Sequence, residues 1–261
     1  MALIAMACYD TVENGRTWMT KETLISLSET VDFRKHRLFV IDNASCQATK
    51  DLLKEFAWMQ FTLIGNDVNV GTAKAINQAW RHRTPGENLI KMDNDVVIRA
   101  AGWVELLEEL ITRMGKTDIP AGIVGLKRKD CIESPNLPEE DFYRSELVMS
   151  PAPLGHKWIV AERVNHVMGT CQMYNHQLID RIGGLYQMDG LYGFDDTLAA
   201  IRCQVAGFHS YFLPEIVIDH IDPGGTNYQK WKEGYAGERM RKFNELREQY
   251  INGQTSIFYQ L

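Results

Sequence analysis

Long apolar runs are missing from this sequence. No stretch approaches the roughly 20 apolar residues that a membrane-spanning helix needs. The opening run Met1 to Cys8 is apolar but short, has no basic flank and meets Asp10 at once. It therefore reads as a first β-strand and not as a signal peptide. Cysteine is sparse: Cys8, Cys46, Cys131, Cys171 and Cys203 are widely spaced and contain no C-x-x-C pair. Neither a zinc site nor a disulfide framework is indicated, and the expectation is a reduced, cytoplasmic protein. Positive charge is not in excess, since the formal net charge is −6, which argues against tight binding to a nucleic-acid backbone. No G-x-x-x-x-G-K-[ST] loop occurs, which excludes a P-loop ATPase. No repeat, low-complexity tract or linker divides the chain.

What is present is ordinary globular material. The chain has 261 residues, 45% of them hydrophobic and 24% charged, enough to bury a large core as one domain. Apolar runs at Ala2–Cys8, Leu38–Ile41, Phe61–Ile64 and Leu89–Met92 read as buried parallel strands. Thr49–Trp58, Ala73–Trp80 and Trp103–Met114 between and after them carry apolar residues at helical spacing. This alternation over residues 1–115 predicts an α/β fold with a mostly parallel, doubly wound sheet. A ligand is then expected outside the carboxyl ends of the strands. Residues 116–226 form a second half. It contains a strand at Gly122–Leu126 and a proline-bearing segment from Lys127 to His156, expected to act as a mobile lid. Then come a strand at Val164–Tyr174, helices at His176–Ile182 and Phe194–Val205, and short strands at Phe208–Leu213 and Ile216–Ile218. Residues 227–261 add a polar helix, Tyr228–Tyr250, and a tail.

Chemistry-bearing residues collect at the strand ends. Two aspartates after a buried strand, Asp93 and Asp95 flanking Asn94, are the pattern that a divalent cation on a diphosphate requires. Such a cation is held by one or two carboxylates and otherwise by phosphate oxygens and water. Gly71 permits close backbone approach before a helix whose N-terminus favours anions. Lys74, one turn in, can reach a phosphate or face water. Asp195 and Asp196 open an amphipathic helix, where the dipole favours ionised carboxylates, the state a general base needs. Ser45 reads as a helix cap.

Taken in order, IDNAS (Ile41–Ser45), NVGTAKAIN (Asn69–Asn77), KMDNDVVI (Lys91–Ile98) and GLYGFDDTLAAIRCQVAGF (Gly190–Phe208) resemble the inverting GT-A glycosyltransferases of family two. That family has a V-D-N-x-S segment, an N-x-G-x-x-x-x-x-N loop, a D-x-D triplet and an E-D-x-x-x-x-x-R helix. MGTCQMYNHQLIDRIGGL (Met168–Leu185) is similar to the family's acceptor side, and the likeness spans Ala2 to Thr226. The resemblance implies a GT-A fold and metal-dependent, inverting transfer of one sugar from a nucleoside-diphosphate sugar to an acceptor hydroxyl. UDP is the first choice of nucleotide, and Mn²⁺ or Mg²⁺ of cofactor. It implies nucleotide contacts from Ala7, Tyr9, Asp42, Asn69, Gly71, Asn77, Asp93 and Asn94, with Asp42 on the base and Asp93 on the ribose. Asp95 and His220 would hold the metal. Asp196 would be the catalytic base, with Asp195 standing where the family has Glu. Arg202 is expected to brace these carboxylates, and His156, His166, His176 and His209 receive no role.

The family's Q-x-x-R-W motif is absent, which argues against a processive synthase. A sugar-1-phosphate nucleotidyltransferase would need a basic, Gly-rich loop after the first strand, and the loop from Tyr9 to Asn14 is acidic. A non-catalytic nucleotide-sugar-binding module would have no use for Asp196. The acceptor is open among a glycan, a lipid-linked group, a protein and a modified nucleobase.

Overall fold

The computed structural model describes residues 1–130, 146–152, 157–223 and 227–261, the last from 227 to 238 as backbone only. The first half alternates as the periodicity predicts. β1 (Ala2–Cys8), α1 (Thr17–Thr30), β2 (Arg37–Asn43), α2 (Gln47–Glu55) and β3 (Thr62–Asn66) come first. They are followed by α3 (Thr72–Trp80), β4 (Asn88–Asp93), the short β5 (Val96–Val97) and α4 (Trp103–Met114). β6 (Ala121–Arg128), β7 (Glu146–Met149), β8 (Val160–Val164), β9 (Cys171–Tyr174), α5 (His176–Ile182), α6 (Asp195–Val205), β10 (His209–His220) and α7 (Asn227–Ile251) complete the chain. One sheet runs β3-β2-β1-β4-β9-β6-β10-β8-β7, with β5 on β10.

β1 pairs in parallel with β2 and β4, and β2 with β3. Residues of β1 alternate between two cores: Ile4 and Met6 pack beneath α1, α2 and α4, Leu3 and Ala5 beneath α3, α5 and α6. That two-sided burial is why the strand reads as an unbroken apolar run. β3 departs from the expectation of burial. It is the edge strand, with Leu63 52% exposed.

Two other expectations are corrected. The apolar stretch Val164–Tyr174 is two strands in different places. β8 lies antiparallel to β10, whereas β9 runs antiparallel between β4 and β6. The turn between them brings Met168, Gly169 and Thr170 into a cavity over the strand ends. Conversely, Phe208–Leu213 and Ile216–Ile218 belong to one strand, β10. A register shift between Leu213 and Val217 accommodates Pro214, which cannot donate to a ladder. Of the lid expected over Lys127–His156, residues 131–145 and 153–156 lie outside the described residues. Among the described ones, no helix is long and apolar enough to cross a membrane.

Candidate active site

α1 builds the floor of the site. Six of its fourteen residues are Ser or Thr, and four of these are buried: Thr20, Thr23, Ser26 and Thr30. Three face the segment after β4 and hold alternate residues of it. Asn94 Nδ2 donates to Thr20 Oγ1 at 2.6 Å, Val96 N to Thr23 Oγ1 at 3.1 Å and Ile98 N to Ser26 Oγ at 2.8 Å. Period two in the extended segment thus meets period three on the helix. Asn94 also donates to Asp10 Oδ1 at 2.8 Å. Its amide is therefore engaged within the protein, while Asn94 also lines the cavity over the strand ends. Asp93 and Asp95, on either side, sit on a fixed backbone.

A cavity of about 510 Å³ opens over these strand ends. Ala7, Tyr9, Asn69, Asp93, Asn94, Asp95, Asp195, Asp196 and His220 line it, while Asp42, Gly71, Lys74 and Asn77 do not. At one end Asp95 is the centre of a charged cluster. The guanidinium of Arg16 donates to Asp95 Oδ2 through one nitrogen and to Asp222 Oδ2, at 2.7 Å, through another. His220 Nε2 lies 3.5 Å from the same Asp95 oxygen. Arg16 is 5% exposed and Asp95 3%. Burial works against the Arg16 charge, but the two carboxylates outweigh it and hold the guanidinium more firmly protonated than usual.

At the other end Lys91, Asp93, Asp195 and Asp196 meet. Lys91 Nζ donates to Gly169 O at 2.6 Å and lies 3.3 Å from Asp93 Oδ1 and 3.7 Å from Asp195 Oδ2. Buried as it is, Lys91 stays charged because these carboxylates more than offset desolvation. Asp196 accepts from Gly169 N at 3.0 Å and Thr197 N at 2.8 Å, and His166 Nε2 is 3.4 Å away. The two neighbouring acids are driven apart. Burial pushes Asp195 up to about 6, with Asp196 adding to the rise and Lys91 opposing it. Burial would raise Asp196 too, but His166 and Lys91 prevail and keep it below the ordinary carboxylate range. Both line the cavity, and the Asp196 side chain, 25% exposed against 10% for Asp195, is the more open of the two.

The other expected residues lie outside the cavity lining and are bonded within the chain. Asp42 Oδ1 accepts from Ser45 N at 2.8 Å. Ser45 is not a cap; its hydroxyl donates to Cys8 O and accepts from Asp10 N, tying β1 to β2, and Cys46 precedes α2 without a side-chain bond. Asn77 brackets Leu185, donating to its carbonyl at 2.8 Å and accepting from its amide at 2.9 Å. The α3 N-terminus is filled from within the chain: Lys74 N donates to Gln187 Oε1 at 2.9 Å. Gly71, at φ 91°, is required by the same side chain, because a Cβ there would lie 2.2 Å from Gln187 Nε2. The Lys74 side chain is exposed outside the cavity. Arg202 does not brace the carboxylates. Fully buried, it donates to the carbonyls of Ile182, Gly184 and Ile257, and burial brings it down to about 10.

Arg16, Lys91, His166 and Asp222 were not singled out from sequence as site residues. Lys91 stood inside a quoted motif, two residues before Asp93, and was legible; the others are joined to the site only by folding.

The sheet order, the reversed β9 and the acid-lined cavity at the strand ends define a GT-A architecture. Sequence comparison matches residues 18–183 to Glycosyl transferase family 2, and the chain belongs to that family. Solved structures agree on the fold. The mannosyltransferase of Pyrobaculum calidifontis, in complex with GDP-Man and Mn²⁺, superposes with a TM-score of 0.61 at 19% identity, over 88% of this chain and 59% of its own. TarS 1–349 of S. aureus, in complex with UDP-GlcNAc, gives 0.60 at 14% identity, over 87% and 62%. GalNAc-T7, with UDP, GalNAc and Mn²⁺, gives 0.59 at 11%, over 84% and 44%. The chain therefore spans about three fifths of the first two and less than half of the third. No curated protein matches it by sequence.

Proposed function

We propose that the chain transfers one sugar from a nucleoside-diphosphate sugar, UDP-linked by first choice, to an acceptor hydroxyl with inversion. The observation that carries this reading is that one cavity is lined by two charged clusters, Asp95 with His220 and Asp222, and Asp93 with Lys91, Asp195 and Asp196. Asp95, Asp222 and His220 offer carboxylate oxygens and an imidazole, a donor set that suits Mn²⁺ or Mg²⁺ once phosphate oxygens and water complete the shell. Among the described residues, no group of three or more His, Cys, Asp or Glu side chains is arranged to hold a metal ion, so such a cation would need phosphate oxygens to complete its shell. When bound, that cation would neutralise charge on the leaving diphosphate. Asp93 and Asn69 on the cavity wall are assigned to ribose and donor contacts. Asp42, Ala7 and Tyr9 are assigned to the base end. Asp196 takes the proton of the acceptor hydroxyl as its oxygen bonds to the anomeric carbon and the bond to diphosphate breaks. Lys91 steadies Asp93 and Asp195, and His166 keeps Asp196 ionised.

The test is a screen of UDP-, GDP- and dTDP-sugars for hydrolysis with Mn²⁺ or Mg²⁺. EDTA should abolish turnover of the preferred donor and Mn²⁺ should restore it. Asp95→Asn is the variant to use, since it removes the charge but keeps an oxygen that can accept from the buried Arg16 guanidinium, which Ala would leave short of an acceptor. It should fold and lose hydrolysis. Full turnover in EDTA would remove the metal from this reading.

A further inference from the structure

The cation position beside Asp95 already has a tenant. Arg16 stands just before α1, 5% exposed, with separate guanidinium nitrogens on Asp95 and Asp222. His220 approaches Asp95 on the same oxygen that Arg16 uses. Two facts make this arrangement more than a surface ion pair. First, the guanidinium holds one oxygen of each carboxylate, and a positive charge held there opposes a second cation on the same pair. Second, Arg16 lines the cavity together with Asp93 and Asp196, so a diphosphate entering there would offer its planar guanidinium paired anionic oxygens, which arginine binds well.

We propose that Arg16 is the internal counter-ion of the metal position. It keeps Asp95 and Asp222 paired, offsetting one of their two negative charges in the empty enzyme, and makes metal binding conditional on the donor's diphosphate. The inference rests on the glycosyltransfer reading above and adds an order to it: nucleotide and metal enter together, and neither carboxylate is left bare between turnovers. Linkage then requires that nucleotide tighten metal binding and metal tighten nucleotide binding by the same factor.

The experiment titrates Mn²⁺ into the full chain and follows the free-ion signal by electron paramagnetic resonance, with and without UDP or GDP. Nucleotide-free wild type should bind Mn²⁺ weakly, and Arg16→Gln should bind it more tightly by roughly tenfold or more, a typical coupling. Added nucleotide should tighten Mn²⁺ binding more in the wild type than in Arg16→Gln. If that variant does not fold, Arg16→Lys replaces it. A point charge cannot engage both carboxylates side by side, so its Mn²⁺ affinity without nucleotide should exceed that of the wild type. Equal Mn²⁺ affinity of wild type and variant, or tight binding by nucleotide-free wild type, overturns the inference alone. No Mn²⁺ binding by either protein, even with nucleotide, overturns it together with the metal-dependent reading.

Discussion

Asp195 and Asp196 are adjacent in sequence and share one helix start, yet their surroundings treat them oppositely. Asp196 faces His166 and the Gly169 amide, while Asp195 is buried with Lys91 as its cation. Asp196→Asn keeps size and hydrogen bonding but cannot take a proton. Transfer should fall by roughly 10²–10⁴-fold, while the dissociation constant for donor stays near that of the wild type. A near wild-type rate would move the role to Asp195. The pH profile separates the two independently. A base protonates on its own pKa, so with Asp196 as base the rate should hold as pH falls through 6. With Asp195 as base, raised to about 6 by burial, the rate should be half lost there. The acids were legible because a carboxylate pair at a helix start is a local pattern. His166 was not, since it lies thirty residues upstream of Asp196 on the turn that leaves β8.

At the scale of elements, α1 decides whether the Asp95 cluster of the cavity is held in place. It escaped the sequence reading because Ser and Thr occupy positions where an amphipathic helix would show apolar residues. Those hydroxyls are the reason for its composition, since they hold the segment carrying Asp95. Thr23→Val preserves shape and removes the acceptor for Val96 N–H at a fully buried site. It should cost about 1–3 kcal/mol by denaturant unfolding, and it should weaken Mn²⁺ binding in the presence of nucleotide. An unchanged midpoint would mean that the segment is held without the clamp. The strands of the first half were readable because each is local and mostly buried on two faces. β8 and β9 were not separable, because an apolar run records burial and not which neighbours a strand has. At α3, whose glycine and N-terminus suggest an anion site, the sequence could not show that Gln187, over a hundred residues away, accepts from Lys74 N.

For the molecule as a whole, the tail beyond α7 is a structural member. Tyr259 N donates to Ile182 O, Gly184 N donates to Tyr259 O, and Ile257 O receives Arg202 Nε, with distances between 2.7 and 2.8 Å. Leu261 packs against the core under α3, α5 and α6. Removing residues 256–261 would leave a buried arginine short of an acceptor and a Gly-Gly turn without its partner strand. Loss of a hydrogen bond to a charged group alone costs about 1.5–3 kcal/mol, so thermal unfolding should shift down by several degrees. Donor-independent unfolding of the truncated chain at the wild-type midpoint would show that the tail is dispensable. Phe194 gives this end of the molecule a second link to the chemistry. It sits at φ 62° immediately before Asp195 and stacks on Phe243 of α7 with ring centroids 4.5 Å apart.

Arg202 therefore has a consequence for how the protein comes into being. Its three carbonyl partners come from residues 182, 184 and 257, so its cradle closes only after more than fifty further residues have been made. While the chain is still growing, the nucleotide half has all its own strands, whereas α6 waits with a charge that the core cannot yet accept. Asp195 and Asp196 at the head of α6 should thus be the last part of the site to become rigid during synthesis. Chains arrested before Ile257 leaves the ribosome should be cleaved readily around α6 and resist protease over β1 to β4. Equal resistance of both halves at that length would place the cradle outside the folding sequence.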